Sequence, residues 1–157
     1  MSYLGTTGEH SARFRPVDET IVLDRPTTSA HFVAPGSVTD GQFGLFRWDM
    51  APASGGPARH FHKTFSESFY VIDGTVRLDD GERAVDATAG DFLYVPAGGI
   101  HAFANVSDEP ASMLILFAPG PPREQYFLEL AEIAESGREL SAEEWAEFYA
   151  RHDQYMV

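Results

Sequence analysis

From residue 21 onward the chain is written in short apolar segments separated by turn-forming residues. Stretches 21–23, 29–34, 42–50, 59–64, 67–72, 75–78, 82–87, 92–95, 100–105 and 112–117 are rich in β-branched and aromatic residues, and several alternate. The cleanest alternation is Thr75-Val76-Arg77-Leu78. Between the segments stand Asp24-Arg25-Pro26, Pro35-Gly36-Ser37, the loop from Pro52 to Pro57, Asp73-Gly74 and Asp80-Gly81. Asp-Gly favours a type I′ hairpin turn, whose two central residues need positive φ. About ten short strands with frequent turns predict an antiparallel sandwich or barrel.

The period changes after Ala118-Pro119-Gly120-Pro121-Pro122. The spacing of Phe127, Leu130, Ala131 and Ala134 predicts an amphipathic helix over 123–135, ended by Gly137. Ser141 and Glu144 have capping-box spacing ahead of a second helix, on which Trp145, Phe148, Tyr149 and His152 share a face. The inner faces are too apolar to stay in water, so this tail is expected to pack on the strands. The expected organisation is an irregular arm over 1–18, a β-domain over 19–119 and a helical extension over 120–157.

Composition narrows the function. With 43% hydrophobic and 13% aromatic residues, the 157-residue chain can bury a real core. Its net charge of −13, with 24 acidic and 11 basic residues, opposes nucleic acid and anionic membranes. The first ten residues lack a basic start and an apolar run, and no stretch is apolar enough to span a bilayer. The expected location is the cytoplasm. There is no cysteine, so any metal must be held by nitrogen and oxygen.

That donor set is on hand. His60 and His62 stand two apart on a strand and so project to one side. Glu67 follows after a short loop and shares a face with Phe69 and Val71. Two imidazoles and a carboxylate that converge suit a metal site with open positions. Downstream, Gly90, Pro96, Gly98, His101 and Asn105 form the pattern G-x5-P-x-G-x2-H-x3-N. Together with His60, His62, Glu67 and Gly74, this resembles the two motifs of the cupin superfamily. One departure is Ser54, where the first motif has a glycine; Gly55 and Gly56 follow it.

The resemblance implies an all-β fold, the cupin double-stranded β-helix or jelly-roll barrel, here with a short C-terminal helical extension. It implies that His60, His62, Glu67 and His101 ligate one divalent transition metal, of which Ni, Fe, Mn, Co, Cu and Zn all suit the ligands. Gly74, Gly90, Gly98 and Pro96 would serve turns, and Asn105 a structural position. Ligand parity places Phe69 and Phe103 beside the site, and Trp48 joins them as a candidate pocket wall. His31 and His152 read as hydrogen-bonded or packed residues, and His10 as solvated.

The single barrel and the tail segments 127–131 and 149–154 are similar to monocupin quercetin 2,3-dioxygenase-like proteins of actinobacteria. That similarity implies an O2-dependent dioxygenase acting on a flavonol-like or other aromatic enol. Chemistry adds a second role for Glu67, since a carboxylate that loosens from the metal could take the substrate's hydroxyl proton. Alternatives are a metal-dependent isomerase, lyase or cyclase, and a non-catalytic small-molecule-binding protein. Sugar-nucleotide chemistry fits less well, since Arg47, Arg59 and Arg77 are the only barrel arginines that suit a pyrophosphate. The partners expected are a small aromatic substrate, O2 and a second copy of the chain in a homodimer.

Overall fold

The computed structural model describes residues 2–157. Ten strands precede the tail: β1 (Ile21–Asp24), β2 (Thr28–Ala34), β3 (Gly44–Met50), β4 (His60–Phe61), β5 (Ser66–Asp73), β6 (Thr75–Asp79), β7 (Ala84–Thr88), β8 (Phe92–Val95), β9 (Ala102–Ala104) and β10 (Ala111–Ala118). Helices α1 (Arg123–Ser136) and α2 (Ala142–Arg151) follow, and a last strand, β11 (Tyr155–Met156), closes the chain. The strands form an antiparallel six-stranded sheet in the order β1-β2-β3-β10-β5-β8 and a three-stranded sheet in the order β7-β6-β9. β11 pairs with β4. This is the double-stranded β-helix barrel with C-terminal helices.

The inward residues of the barrel make one core. Phe32, Phe46, Phe69, Val71, Val76, Met113, Ile115 and Phe117 are buried on alternating positions of their strands. Helix α1 completes it. Phe127 sets its ring against Trp48 at 5.1 Å, Phe46 at 5.4 Å and Phe32 at 6.3 Å, so the helix plugs the barrel with an aromatic side chain. Tyr126 and Phe148 stack at 5.6 Å and tie the second helix to the first. Ser141 and Glu144 form the reciprocal cap expected of them, and Gly137 ends α1 in the left-handed region.

Three local readings change. The Asp80-Gly81 hairpin is not a type I′ turn: only Gly81 has positive φ, and the loop spans 80–83. Asp80 Oδ1 accepts the amides of Glu82 and Arg83, a side-chain closure that replaces the second positive φ. The buried stripe of α1 is Arg123, Tyr126, Phe127 and Ala131, while Ala134 is exposed. Finally, β11 pairs with β4, which alternation in so short a segment does not announce.

Because Phe127 touches both sheet and helix aromatics, Phe127→Ala should destabilise the fold by about 3 kcal/mol or more. Urea unfolding followed by tryptophan fluorescence measures this, since Trp48 reports the same contact.

Candidate metal centre

His60 lies on β4, and its backbone exchanges two hydrogen bonds with that of His101, His60 N–H to His101 O at 3.1 Å and the reverse at 2.9 Å. The two histidines from opposite ends of the motif region are therefore locked side by side by backbone alone. His101 arrives there through the bend at Pro96–Gly99. Gly98 has φ of 83°, which a side chain would strain, and its amide donates to the His62 carbonyl at 2.7 Å. Thus the bend of the second motif is fastened to the first. Glu67 sits in β5 between Val95 and Phe117 on the flanking strands. One ligand atom from each of His60, His62, Glu67 and His101 lies within 4.8 Å of the others, and all four residues are buried.

Second contacts orient every ring. His60 Nδ1 lies 2.8 Å from the Ala58 carbonyl, His62 Nδ1 2.6 Å from the Asp153 carbonyl, and His101 Nδ1 3.0 Å from the Gly99 carbonyl. A carbonyl only accepts, so each Nδ1 carries the proton and a neutral ring presents its Nε2 lone pair. Yet the Nε2 atoms of His62 and His101 stand 3.0 and 2.8 Å from Glu67 Oε2. Lone pairs facing a carboxylate at these distances repel unless a proton or a cation lies among them. The donor set, with its rings already oriented, therefore fits a metal ion.

Without a metal, protons must fill that role. Burial alone would raise the Glu67 pKa, but hydrogen bonds from His101 and His62 outweigh it and hold the carboxyl well below its usual range. Burial disfavours the charged His101, and the hydrogen bond with Glu67 overcomes this and raises its pKa. His60 lacks such a partner. Burial, with His101 beside it, pushes its imidazole down to about 4.

The cluster opens on a cavity of about 240 Å3. His60, Glu67, Trp48, Phe103 and Ile115 line it from the barrel, and Arg123, Tyr126, Phe127, Leu130 and Gln154 from the tail. Gly56 also lines it; a Cβ there would come within 1.9 Å of the Phe103 carbonyl oxygen. Of the three aromatics expected at the pocket, Trp48 and Phe103 stand on the cavity wall. Phe69 is fully buried, its ring 5.8 Å from that of His101 and 5.6 Å from that of Phe103, behind the cluster.

The tail thus supplies five of the fifteen residues that line the cavity, and their place there was not foreseen from the sequence. Asp153 orients His62 through its carbonyl and takes the Lys63 and Thr64 amides on its carboxylate. Arg123 is buried at the head of α1, where burial lowers its pKa. One signal was available: it is the only basic residue of α1, on the same face as Tyr126 and Phe127. Arg47, Arg59 and Arg77 instead form ion pairs with Asp49, Asp79 and Asp86 away from the cavity.

The other histidines have ordinary roles. His31 is bonded to Asp49 at 3.0 Å, His152 packs on Phe148 and approaches Glu129 at 3.2 Å, and His10 is exposed. Asn105 donates to the Ala51 and Glu109 carbonyls and so pins the loops below the site.

The His60 shift has a consequence for metal-free protein. Its folded pKa of about 4 lies below the unfolded value of 6.5, so the unfolded chain binds more protons between those values. Stability should fall by about 3 kcal/mol as pH drops from 6.5 to 4. The raised His101 pKa acts in the other window, its contribution fading as pH rises above 6.5. Urea midpoints in chelator across this range should show the acid slope, and His60→Asn should flatten it.

Comparison with known proteins agrees with this architecture. Residues 46–117 match the family model described as Cupin domain. Quercetin 2,3-dioxygenase of Bacillus subtilis is 29% identical over 93 residues, covering 56% of this chain and 26% of that protein. Polyketide synthase CurC of Streptomyces cyaneus is 30% identical over 66 residues, covering 42% and 43%. The chain therefore spans less than half the length of either curated relative. Among solved structures, KdgF from Halomonas sp. superposes with a TM-score of 0.61 at 17% identity, over 71% of this chain and 99% of that one. No helix among the described residues is long and apolar enough to cross a membrane. The four-residue cluster lies in the segment that matches the Cupin domain model, within a barrel of the cupin fold.

Proposed function

We propose that His60, His62, Glu67 and His101 hold one divalent transition-metal ion, and that the protein is an O2-dependent dioxygenase of flavonol-like or other aromatic enols. The observation that carries this reading is the set of oriented imidazole lone pairs converging on Glu67 at the wall of an aromatic cavity. A bound ion would act as a Lewis acid toward the enol oxygen and, if redox-active, as an electron conduit to O2. The match to a protein named quercetin 2,3-dioxygenase supports the choice of reaction. The cavity, at about 240 Å3, is below the roughly 300–1,000 Å3 of typical ligand pockets, which suits a small planar substrate better than a sugar nucleotide.

The chain's own residues have distinct tasks. Trp48, Phe103 and Phe127 offer ring faces and edges to an aromatic substrate and keep water from it. Glu67 is ionised, and its two imidazole partners make it a weak base. Taking the substrate's hydroxyl proton requires it to swing off those partners, which restores its basicity.

A second reading, a metal-dependent cyclase, draws on the fold shared with the polyketide cyclase RemF of Streptomyces resistomycificus (TM-score 0.56, 18% identity), beside the match to polyketide synthase CurC. It needs the same ligand set and the same proton acceptor but no O2.

Protein purified without chelator should contain one metal per chain, and His62→Ala or His101→Ala should lose it, as read by elemental analysis. Quercetin added anaerobically should shift its absorption on binding and bleach when O2 is admitted. No spectral change with Ni-, Co-, Mn- or Fe-loaded protein would rule out the flavonol version. Turnover of an aromatic enol that persists without O2 would select the cyclase.

A further inference from the structure

The chain has ten arginines, and nine of them meet a carboxylate: Arg13, Arg15, Arg25, Arg47, Arg59, Arg77, Arg83, Arg138 and Arg151 each lie within 4.0 Å of an Asp or Glu oxygen. The tenth, Arg123, is only 4% exposed and forms no salt bridge among the described residues. In a chain with 24 acidic residues this is the wrong arginine to leave unpaired, because a buried charge without a counter-charge is costly. Its Nη1 donates to the His152 carbonyl at 3.1 Å and its Nη2 to Gln154 Oε1 at 3.2 Å, both neutral acceptors. Its Nε is buried with no acceptor at all. The guanidinium is caged by rings, 4.0 Å from the centre of Tyr126, 5.3 Å from Phe117 and 5.5 Å from Phe127. It lines the same cavity as His60 and Glu67.

Such an arginine is built and held for something that comes and goes. We propose that Arg123 binds a carboxylate of the substrate, so that the cavity takes an aromatic enol or phenol carrying an acid group remote from the hydroxyl that approaches Glu67. The edge of a guanidinium presents two parallel N–H donors, and a carboxylate matches that fork with two oxygens. Charge leads to the same class. With a divalent ion in place, the cavity would hold two positive charges from the ion, one from Arg123 and one negative charge from Glu67, an excess that a substrate anion offsets. The proposal rests on the metal-dependent reading of the cluster and narrows its substrate. Tyr126 and Gln154 serve it as positioning residues, the first under the guanidinium and the second holding one of its ends.

Binding of 6-hydroxy-2-naphthoate and of 6-hydroxy-2-naphthamide, measured calorimetrically on zinc-loaded protein, tests this without turnover. The acid should bind about tenfold tighter than the amide or better. The preference should survive removal of zinc by chelator, since Arg123 remains. Arg123→Met should bring the acid down to the amide's affinity with the amide unchanged, and Arg123→Lys, which keeps the charge but not the fork, should retain part of the preference. Equal binding of acid and amide by the wild-type protein would overturn the proposal. So would a preference that vanishes with the zinc, which would assign the carboxylate to the metal. A persistent acid preference with no bleaching of quercetin rejects only the dioxygenase reading; bleaching without acid preference rejects only this one.

Discussion

Three imidazole rings are each held by a backbone carbonyl at Nδ1, and the site depends on that constraint. It sets the tautomer, turns the Nε2 atoms inward and leaves those of His62 and His101 facing a carboxylate they repel when neutral. Everything nearby serves to keep the carbonyls in place. Ala58 and Gly99 belong to the two short segments joined by the His60–His101 backbone pair. Asp153 belongs to the C-terminal turn, which is held down by its own carboxylate on the Lys63 and Thr64 amides and by β11 pairing with β4.

The tail is therefore part of the site and not a decoration of the barrel. Its first helix delivers Phe127 to the core and Arg123, Tyr126 and Leu130 to the cavity. Its last residues return to the strand bearing His60. Packing and chemistry are coupled: the apolar contacts that seat α1 are also what put a cation on the cavity it shares with Glu67, without a salt bridge of its own. Stability given up by burying Arg123 alone is a mark of function, because nine other arginines in the same chain found a partner.

Placement of the strands and convergence of the four candidate ligands were legible because they follow short-range rules. Alternation put His60 and His62 on one side and Glu67 in register with the core positions of β5, and the glycine and proline spacing marked the bend before His101. The type of hairpin at Asp80-Gly81 was less legible, since a side chain there closes the loop in place of a second positive φ. Phe69 shows the limit of parity. It lies on the ligands' face, but neighbouring strands put it behind His101.

What this sequence determined by itself was the cupin barrel and the four candidate ligands, since both rest on local periodicity and on spacings of a few residues. What only the tertiary structure decided was the far wall of the cavity. Arg123, Asp153 and Gln154 stand tens of positions from the ligands, and no periodicity links them. Their roles arise when α1 docks on the barrel and the chain end pairs with β4, and docking depends on the shapes of buried surfaces. A lone arginine on a helix reads as a solvated charge until the fold takes its water away.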